Sequence, residues 1–157
     1  MLIADVQSSD ELTVEQLMIH VINTSVRADD AEKTAFIANV QKNLRMAINS
    51  PSECAHLKCV INQTIVGVVL VKKFWNLCSL FVDPKFHGMG IGRALMDEVI
   101  KRCAEKSDVP YIRVNAAANA VGFYEVMGFK ALENQHGRDS SMAMDLTIQP
   151  VTKIVAS

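Results

Sequence analysis

The chain lacks a large excess of either charge: sixteen Lys and Arg stand against seventeen Asp and Glu, for a net charge of -1, with a pI near 6.4. A dedicated nucleic-acid surface is therefore not expected, and any anion has to be held locally. Long hydrophobic runs are also missing. The longest nearly continuous one, Ile65 to Val71, falls far short of the roughly 20 residues that cross a bilayer, so no membrane-spanning helix is expected. The opening Met1-Leu2-Ile3-Ala4-Asp5 has no basic segment and reaches an acid after three apolar residues, unlike a secretory leader, so the cytoplasm is the expected compartment. Cys54, Cys59, Cys78 and Cys103 form no Cys-x-x-Cys pair. Neither a zinc or other metal site nor a disulfide framework is suggested, and all four are expected as buried, reduced thiols.

What is present is apolar material: half of the 157 residues are hydrophobic and 21% are charged, enough for a chain that folds alone around one core. The expected organisation is a single domain over residues 1–149 with a tail at 150–157. Residues 2 to 6 read as a short strand. Helical spacing follows in Val14, Leu17, Met18, Val21, Ile22 and Val26 after a cap at Ser9 or Asp10, and again in Phe36, Ile37, Val40, Leu44, Ala47 and Ile48 after Asp29 or Asp30. Pro51 stops the second helix near Asn49. From Ala55 the texture becomes β-rich: Ala55 to Ile61 and Thr64 to Phe74 flank a tight turn at Asn62-Gln63, and Leu77 to Val82 ends at Asp83-Pro84. A helix with Leu95, Met96, Val99, Ile100 and Cys103 on one face comes next, then a strand over Pro110 to Asn115 and a short helix closed by Gly128. Two strands, near Phe129 to Glu133 and Met142 to Ile148, flank a polar loop at Asn134 to Ser141. This order predicts an α/β fold with a mixed sheet and helices on its faces.

The stretch Leu80-Phe81-Val82-Asp83-Pro84-Lys85-Phe86-His87-Gly88-Met89-Gly90-Ile91-Gly92-Arg93 carries the chemistry. Glycines at 88, 90 and 92 leave the backbone bare, so consecutive N–H groups can converge on one concavity while the next helix offers its unpaired first-turn N–H groups and its positive dipole end. A diphosphate fits that description. Arg93 is badly placed for the dipole, which a bound anion would offset. A Walker loop is excluded because Arg93 stands where its second glycine belongs, and a dinucleotide fingerprint because position 93 is not glycine and the motif lies beyond the middle of the chain.

His87-Gly88-Met89-Gly90-Ile91-Gly92 after a Leu-Phe-Val-Asp-Pro strand end resembles the acetyl-CoA motif of the GNAT superfamily of N-acetyltransferases. Asn115 to Phe129, ending Phe123-Tyr124-Glu125-Val126-Met127-Gly128-Phe129, is similar to the superfamily's later strand, helix and Phe-Tyr-Glu-x-x-Gly-Phe ending. The resemblance runs from about residue 54 to 146. It implies a mostly antiparallel mixed sheet of about seven strands flanked by about four helices, with acetyl-CoA as donor and no metal. It further implies that Gly88, Gly90, Gly92 and Arg93 hold the pyrophosphate. Leu80, Phe81 and Val82 would offer strand-edge backbone groups to the pantetheine and thioester, and Asn115 or Asn119 would bond the pantetheine arm in a V-shaped gap between the strands. Tyr124 would lie beside the sulfur as the acid for the leaving thiolate. His87 stands where the family usually has Gln or Arg, and is read as a phosphate donor. Lys72, Lys73, Lys85, Lys101 and Arg102 are candidates for the cofactor's 3'-phosphate.

The reaction so implied is transfer of an acetyl group to a primary amine of a small molecule or peptide by direct attack in a ternary complex. Some family members take the amine proton with a Glu at the position of Asn76. No acid lies between Phe74 and Leu80 here, so a water chain replaces it unless Asp29, Asp30, Glu53 or His56 comes close. The acceptor would be held by the segment from Thr24 to Lys33 and the loop near Asn134 to Ser141. The competing reading is a non-catalytic acyl-CoA-binding sensor or interaction module. A homodimer sharing the edge of Met142 to Ile148 is a further possibility the sequence leaves open.

Overall fold

The computed structural model describes residues 1–132 and 140–146. In chain order the elements are β1 (Leu2–Asp5), α1 (Glu11–Ser25), α2 (Asp30–Asn49), β2 (Cys54–Ile61), β3 (Thr64–Lys72), β4 (Asn76–Val82), α3 (Ile91–Lys106), β5 (Tyr111–Ala116), α4 (Val121–Val126), β6 (Lys130–Ala131) and β7 (Ser140–Asp145). One sheet runs β1-β2-β3-β4-β5-β7-β6. Only the β4/β5 pair is parallel, and such a pair needs a crossover, which α3 supplies. The expected seven-stranded, mostly antiparallel sheet with four helices is the fold observed.

The helices sort to the two faces by their apolar stripes. α1 buries Val14, Leu17, Met18, Val21 and Ile22, and α2 buries Val40, Leu44 and Ala47; together with Val68 and Phe81 most of these form the core on one face. Asp29 starts α2 by accepting the Glu32 N–H at 2.8 Å. On the other face α3 lays Ile91, Leu95, Met96, Val99, Ile100 and Cys103 over the sheet, with Tyr124 and Phe129 completing that core. Gly67 in β3 permits the close contact: a Cβ there would stand 3.0 Å from both Ile91 Cγ2 and Leu95 Cδ1. Bare backbone at Gly67 thus sets how near the start of α3 lies to the end of β4, since Gly67 pairs with Val82.

The Asn62-Gln63 turn is as expected, with positive φ at both residues, 49° and 64°. β3, however, ends at Lys72 rather than Phe74, because Lys73 and Phe74 also adopt positive φ, 54° and 64°, and form a second tight turn. Tertiary contacts hold these two non-glycine residues there. The Lys73 N–H donates to the Glu53 carbonyl at 2.9 Å, and Lys106 Nζ sits 5.7 Å above the Phe74 ring. β7 begins at Ser140, inside the expected polar loop, because Ser140 and Ser141 pair with Ala116 and Asn115. β6 is only Lys130–Ala131. The rest of that loop and the expected tail at 150–157 fall outside the described residues. All four cysteines are free thiols, but Cys78 is half-buried rather than buried. Among the described residues, no helix is long and apolar enough to cross a membrane.

Candidate functional site

The strand pair β4/β5 opens along its length. Only Asn76 and Leu77 pair with β5, opposite Arg113 and Val114, whereas β4 stays with β3 as far as Val82 and β5 stays with β7 as far as Ala116. The sheet therefore splits into two half-sheets. A local cause sits at the fork: Leu70 pairs with Ser79 and Val71 with Leu77, leaving Cys78 as an extra residue in β4. Such a bulge bends its strand and sharpens its twist, here one residue past the last partner of β5.

Register decides which backbone groups face the opening. The Asp83 N–H donates to the Val66 carbonyl at 2.8 Å, and backbone groups alternate in direction along an antiparallel ladder. Asp83 and Phe81 therefore turn toward β3, while Leu80 and Val82 turn toward the gap. This corrects the expectation for Phe81, whose backbone is spent within the sheet. Its side chain is buried on the α1/α2 face, where Phe36 packs edge-on at 6.1 Å.

Past Val82, Asp83 accepts the Lys85 N–H at 3.0 Å and starts a short turn at Pro84. Gly88 and Gly90 follow at φ 81° and 75°, and Gly90 is the cap of α3. Side chains are disfavoured at both by conformation, not space, since an added Cβ would meet nothing within 4 Å. Gly92 differs. It lies in the first turn of α3, and a Cβ there would meet the Phe123 ring at an ordinary 3.5 Å. Neither its backbone nor its packing requires glycine, and its bareness leaves the helix start without a side chain there. Arg93 is exposed beside it and makes no ion pair with a described residue.

The other expected site residues divide. Tyr124 is buried (7% exposed) in α4, packed edge-on between Phe123 at 5.3 Å and Phe129 at 5.4 Å. Burial pushes its phenol up to about 12, so it is a protonated donor at neutral pH. Its hydroxyl bonds to no described residue, yet no fully buried side-chain oxygen among them lacks a partner, so that oxygen is open to solvent. His87 departs from its expected use: Nε2 lies 3.2 Å from the Val82 carbonyl. With its proton on Nε2 the ring donates to that carbonyl, and His87 braces the loop against β4. Asn115 has its carboxamide oxygen engaged by the Ser141 hydroxyl at 2.9 Å. Asn119 is exposed in the turn before α4.

Of the possible bases, Glu53 and His56 lie away from the gap. Asp29 caps α2, Asp30 opens it, Glu53 lies in the turn before β2, and His56 pairs with Leu70, two strands from Ser79. Of the basic residues, Arg102 is bound to Asp5 at 2.6 Å and Lys101 faces Glu98 at 3.7 Å. Lys72 and Lys73 stand at the far end of β3, leaving Lys85 beside the loop. Gly67, the Cys78 bulge and Phe123 were not singled out by sequence, although an isolated glycine inside a strand pattern is a signal of close approach.

A family model described as an acetyltransferase (GNAT) domain matches residues 23–149. The chain is 30% identical over 56 residues to GCN5-related N-acetyltransferase 2, chloroplastic, of Arabidopsis thaliana, a match covering 36% of this chain and 21% of the plant protein. Its fold is similar to that of the PaiA N-acetyltransferase from Thermoplasma acidophilum, solved in complex with coenzyme A, with a TM-score of 0.78 at 20% identity over 92% of this chain and 98% of that one. It is also similar to a GNAT-family acetyltransferase from Staphylococcus aureus Mu50, with a TM-score of 0.70 at 19% identity over 93% and 99%.

Proposed function

Because the chain belongs to the GNAT acetyltransferase family, we propose that it is an acetyl-CoA-dependent N-acetyltransferase that acts on a primary amine by direct attack in a ternary complex. The observation that carries this reading is the parting of β4 from β5 after Leu77, with Leu80 and Val82 facing the gap and the bare start of α3 at its end. The residues fit a pantetheine diphosphate: Gly88, Gly90 and Gly92 place no side chain before the N–H groups of the loop, and Arg93 adds a cation. Lys85 is the basic residue placed to meet a further phosphate.

Acetyl-CoA, when bound, supplies a thioester whose carbonyl carbon an amine can attack. The edge groups of Leu80 and Val82 align the arm as an added strand would, and their N–H groups are the available donors for charge that develops on an acyl oxygen. Tyr124 presents a phenolic proton to a departing sulfur. With its pKa near 12, above a thiol's ordinary 8.5, the phenol stabilises a thiolate by sharing the proton rather than surrendering it outright. Asn76 has no basic atom, so the amine proton leaves through water. Phe36, 41% exposed over Phe81, borders the acceptor side, and the segment from Thr24 to Lys33 is its other candidate wall.

The test is a mass-spectrometric screen of the protein with acetyl-CoA and pooled amino acids, polyamines, other amines and peptides. A product gaining one acetyl group is expected. Acetyl-CoA binding without any acetylated product would favour a non-catalytic sensor, and absence of acetyl-CoA binding would overturn the assignment of residues 80–93.

A further inference from the structure

A cavity of about 610 Å³ lies at the other end of α3, where β1 leaves the sheet. β1 ends at Asp5, opposite Leu57, and its last link to β2 is the Val6 N–H to the His56 carbonyl at 3.0 Å. Cys54 and Ala55 therefore extend past β1, and the space beside them is enclosed by the end of α2, by Pro51 and by the last turns of α3. Its volume falls within the range of about 300 to 1,000 Å³ usual for small-molecule sites. The 16 residues of α3 span about 24 Å, so this cavity and the glycine loop are separate places.

Two observations say what it is built to take. His56 lines it at 9% exposure, and its imidazole makes no hydrogen bond to any described residue. The nearby Asp10 carboxylate is already held by Lys58 at 2.6 Å and the Gln7 N–H at 2.8 Å. Buried polar groups are normally partnered, and no fully buried side-chain nitrogen among the described residues is left unpartnered, so the His56 ring nitrogens are not sealed in the core and remain open to a partner from outside it. Burial brings this imidazole down to about 4, so at neutral pH it offers one donor and one acceptor. Charge gives the second observation. The wall holds two cations, Arg102 and Lys106, against one carboxylate, Asp5, and among the described residues Lys106 is anchored only by the face of Phe74. Ile48, Pro51 and Phe74 add apolar surface beside the polar Gln7, Ser8 and Ser52.

We propose that this cavity is a second ligand site, distinct from the cleft at the glycine loop, that takes a small organic anion: a carboxylate or phosphate monoester carrying an apolar part. Lys106 and the Arg102–Asp5 pair, on the α3 side of β2, meet the charged end, Ile48, Pro51 and Phe74 cover the apolar part, and His56 lies across the strand edge on the α2 side.

The test is a titration of the isotope-labelled full chain with benzoate and with phenyl phosphate, with neutral benzamide as control, read in the backbone amides and the His56 ring resonances. Saturable shifts at residues 6–8, 52–56 and 102–106 are expected from at least one anion, with affinity at least tenfold above benzamide. Whichever anion binds more tightly identifies the headgroup. Lys106→Gln should weaken that binding about tenfold, while coenzyme A still moves residues 88–93 in the same variant. Equal affinity for benzamide, no saturation by either anion, or shifts unchanged by Lys106→Gln would overturn the proposal. Failure of coenzyme A to move 88–93 would instead strike the donor-site reading alone.

Discussion

The two ends of α3 border two proposed sites made of different material. At the N-terminal end the binding surface is backbone: the edge groups of Leu80 and Val82 and the N–H groups around Gly88, Gly90 and Gly92, laid bare by a bulge and by positive φ. At the C-terminal end it is side chains: His56, Arg102, Lys106 and Asp5, brought together from three elements. A backbone site is harmed by adding atoms, a side-chain site by removing charge or hydrogen-bonding capacity. The same substitution has opposite meanings at the two ends.

Tyr124 is the one side chain to which the proposed N-terminal site assigns chemistry, so changing it gives the largest expected effect. Tyr124→Phe should lower the rate of acetyl transfer about a hundredfold or more while leaving coenzyme A affinity nearly unchanged, read by single-turnover kinetics and calorimetric titration. Unchanged transfer would remove the acid role and make the N-terminal site wholly a backbone one.

At the other end the buried imidazole of His56 ties stability to pH. Its folded pKa near 4 lies below its ordinary 6.5, so between those values the unfolded chain binds a proton that the folded chain refuses. Stability is then intact above about pH 6.5 and falls as pH drops toward 4, by an amount on the order of 3 kcal/mol. Denaturant melts across that window should show the loss, and His56→Gln should flatten it. An equally steep loss in the variant would assign it to other groups.

Adding atoms to the N-terminal site separates its glycines. Gly90→Val forces a branched residue to φ 75° and puts methyl groups where the loop is bare, so coenzyme A binding should weaken by about tenfold or more. Unchanged calorimetric affinity in a folded variant would displace the pyrophosphate from this loop. Gly92→Ala is the smallest and sharpest test. Its Cβ fits beside Phe123, so the free protein should gain up to about 1 kcal/mol from better helix propensity even as coenzyme A affinity falls. A gain in stability with no loss of affinity would mean that nothing approaches residue 92.

The unequal legibility of the two ends follows from the same difference. Gly88, Gly90 and Gly92 are spaced alternately in one segment, and Tyr124 sits in a second contiguous motif, so the proposed donor end rests on residues legible along the chain. Which of Leu80, Phe81 and Val82 turns outward could not, because it depends on hydrogen-bond register with β3. Nor could the use of His87 as a brace, or the turn at Lys73-Phe74, where positive φ falls on residues that carry no turn signal and is held by contacts from Glu53 and Lys106. His56, by sequence only a possible base, belongs to a cavity whose lining runs from Asp5 to Lys106.

The sequence alone determined what depends on short-range periodicity and on glycine: the helices, most strand positions, the bare loop and the family. Tertiary structure decided the fork between β4 and β5, the direction of each backbone group along it, and the cavity at the far end. Those depend on how strands pair and where helices come to rest, and residues distant in sequence become neighbours only once burial of the shared core has fixed both.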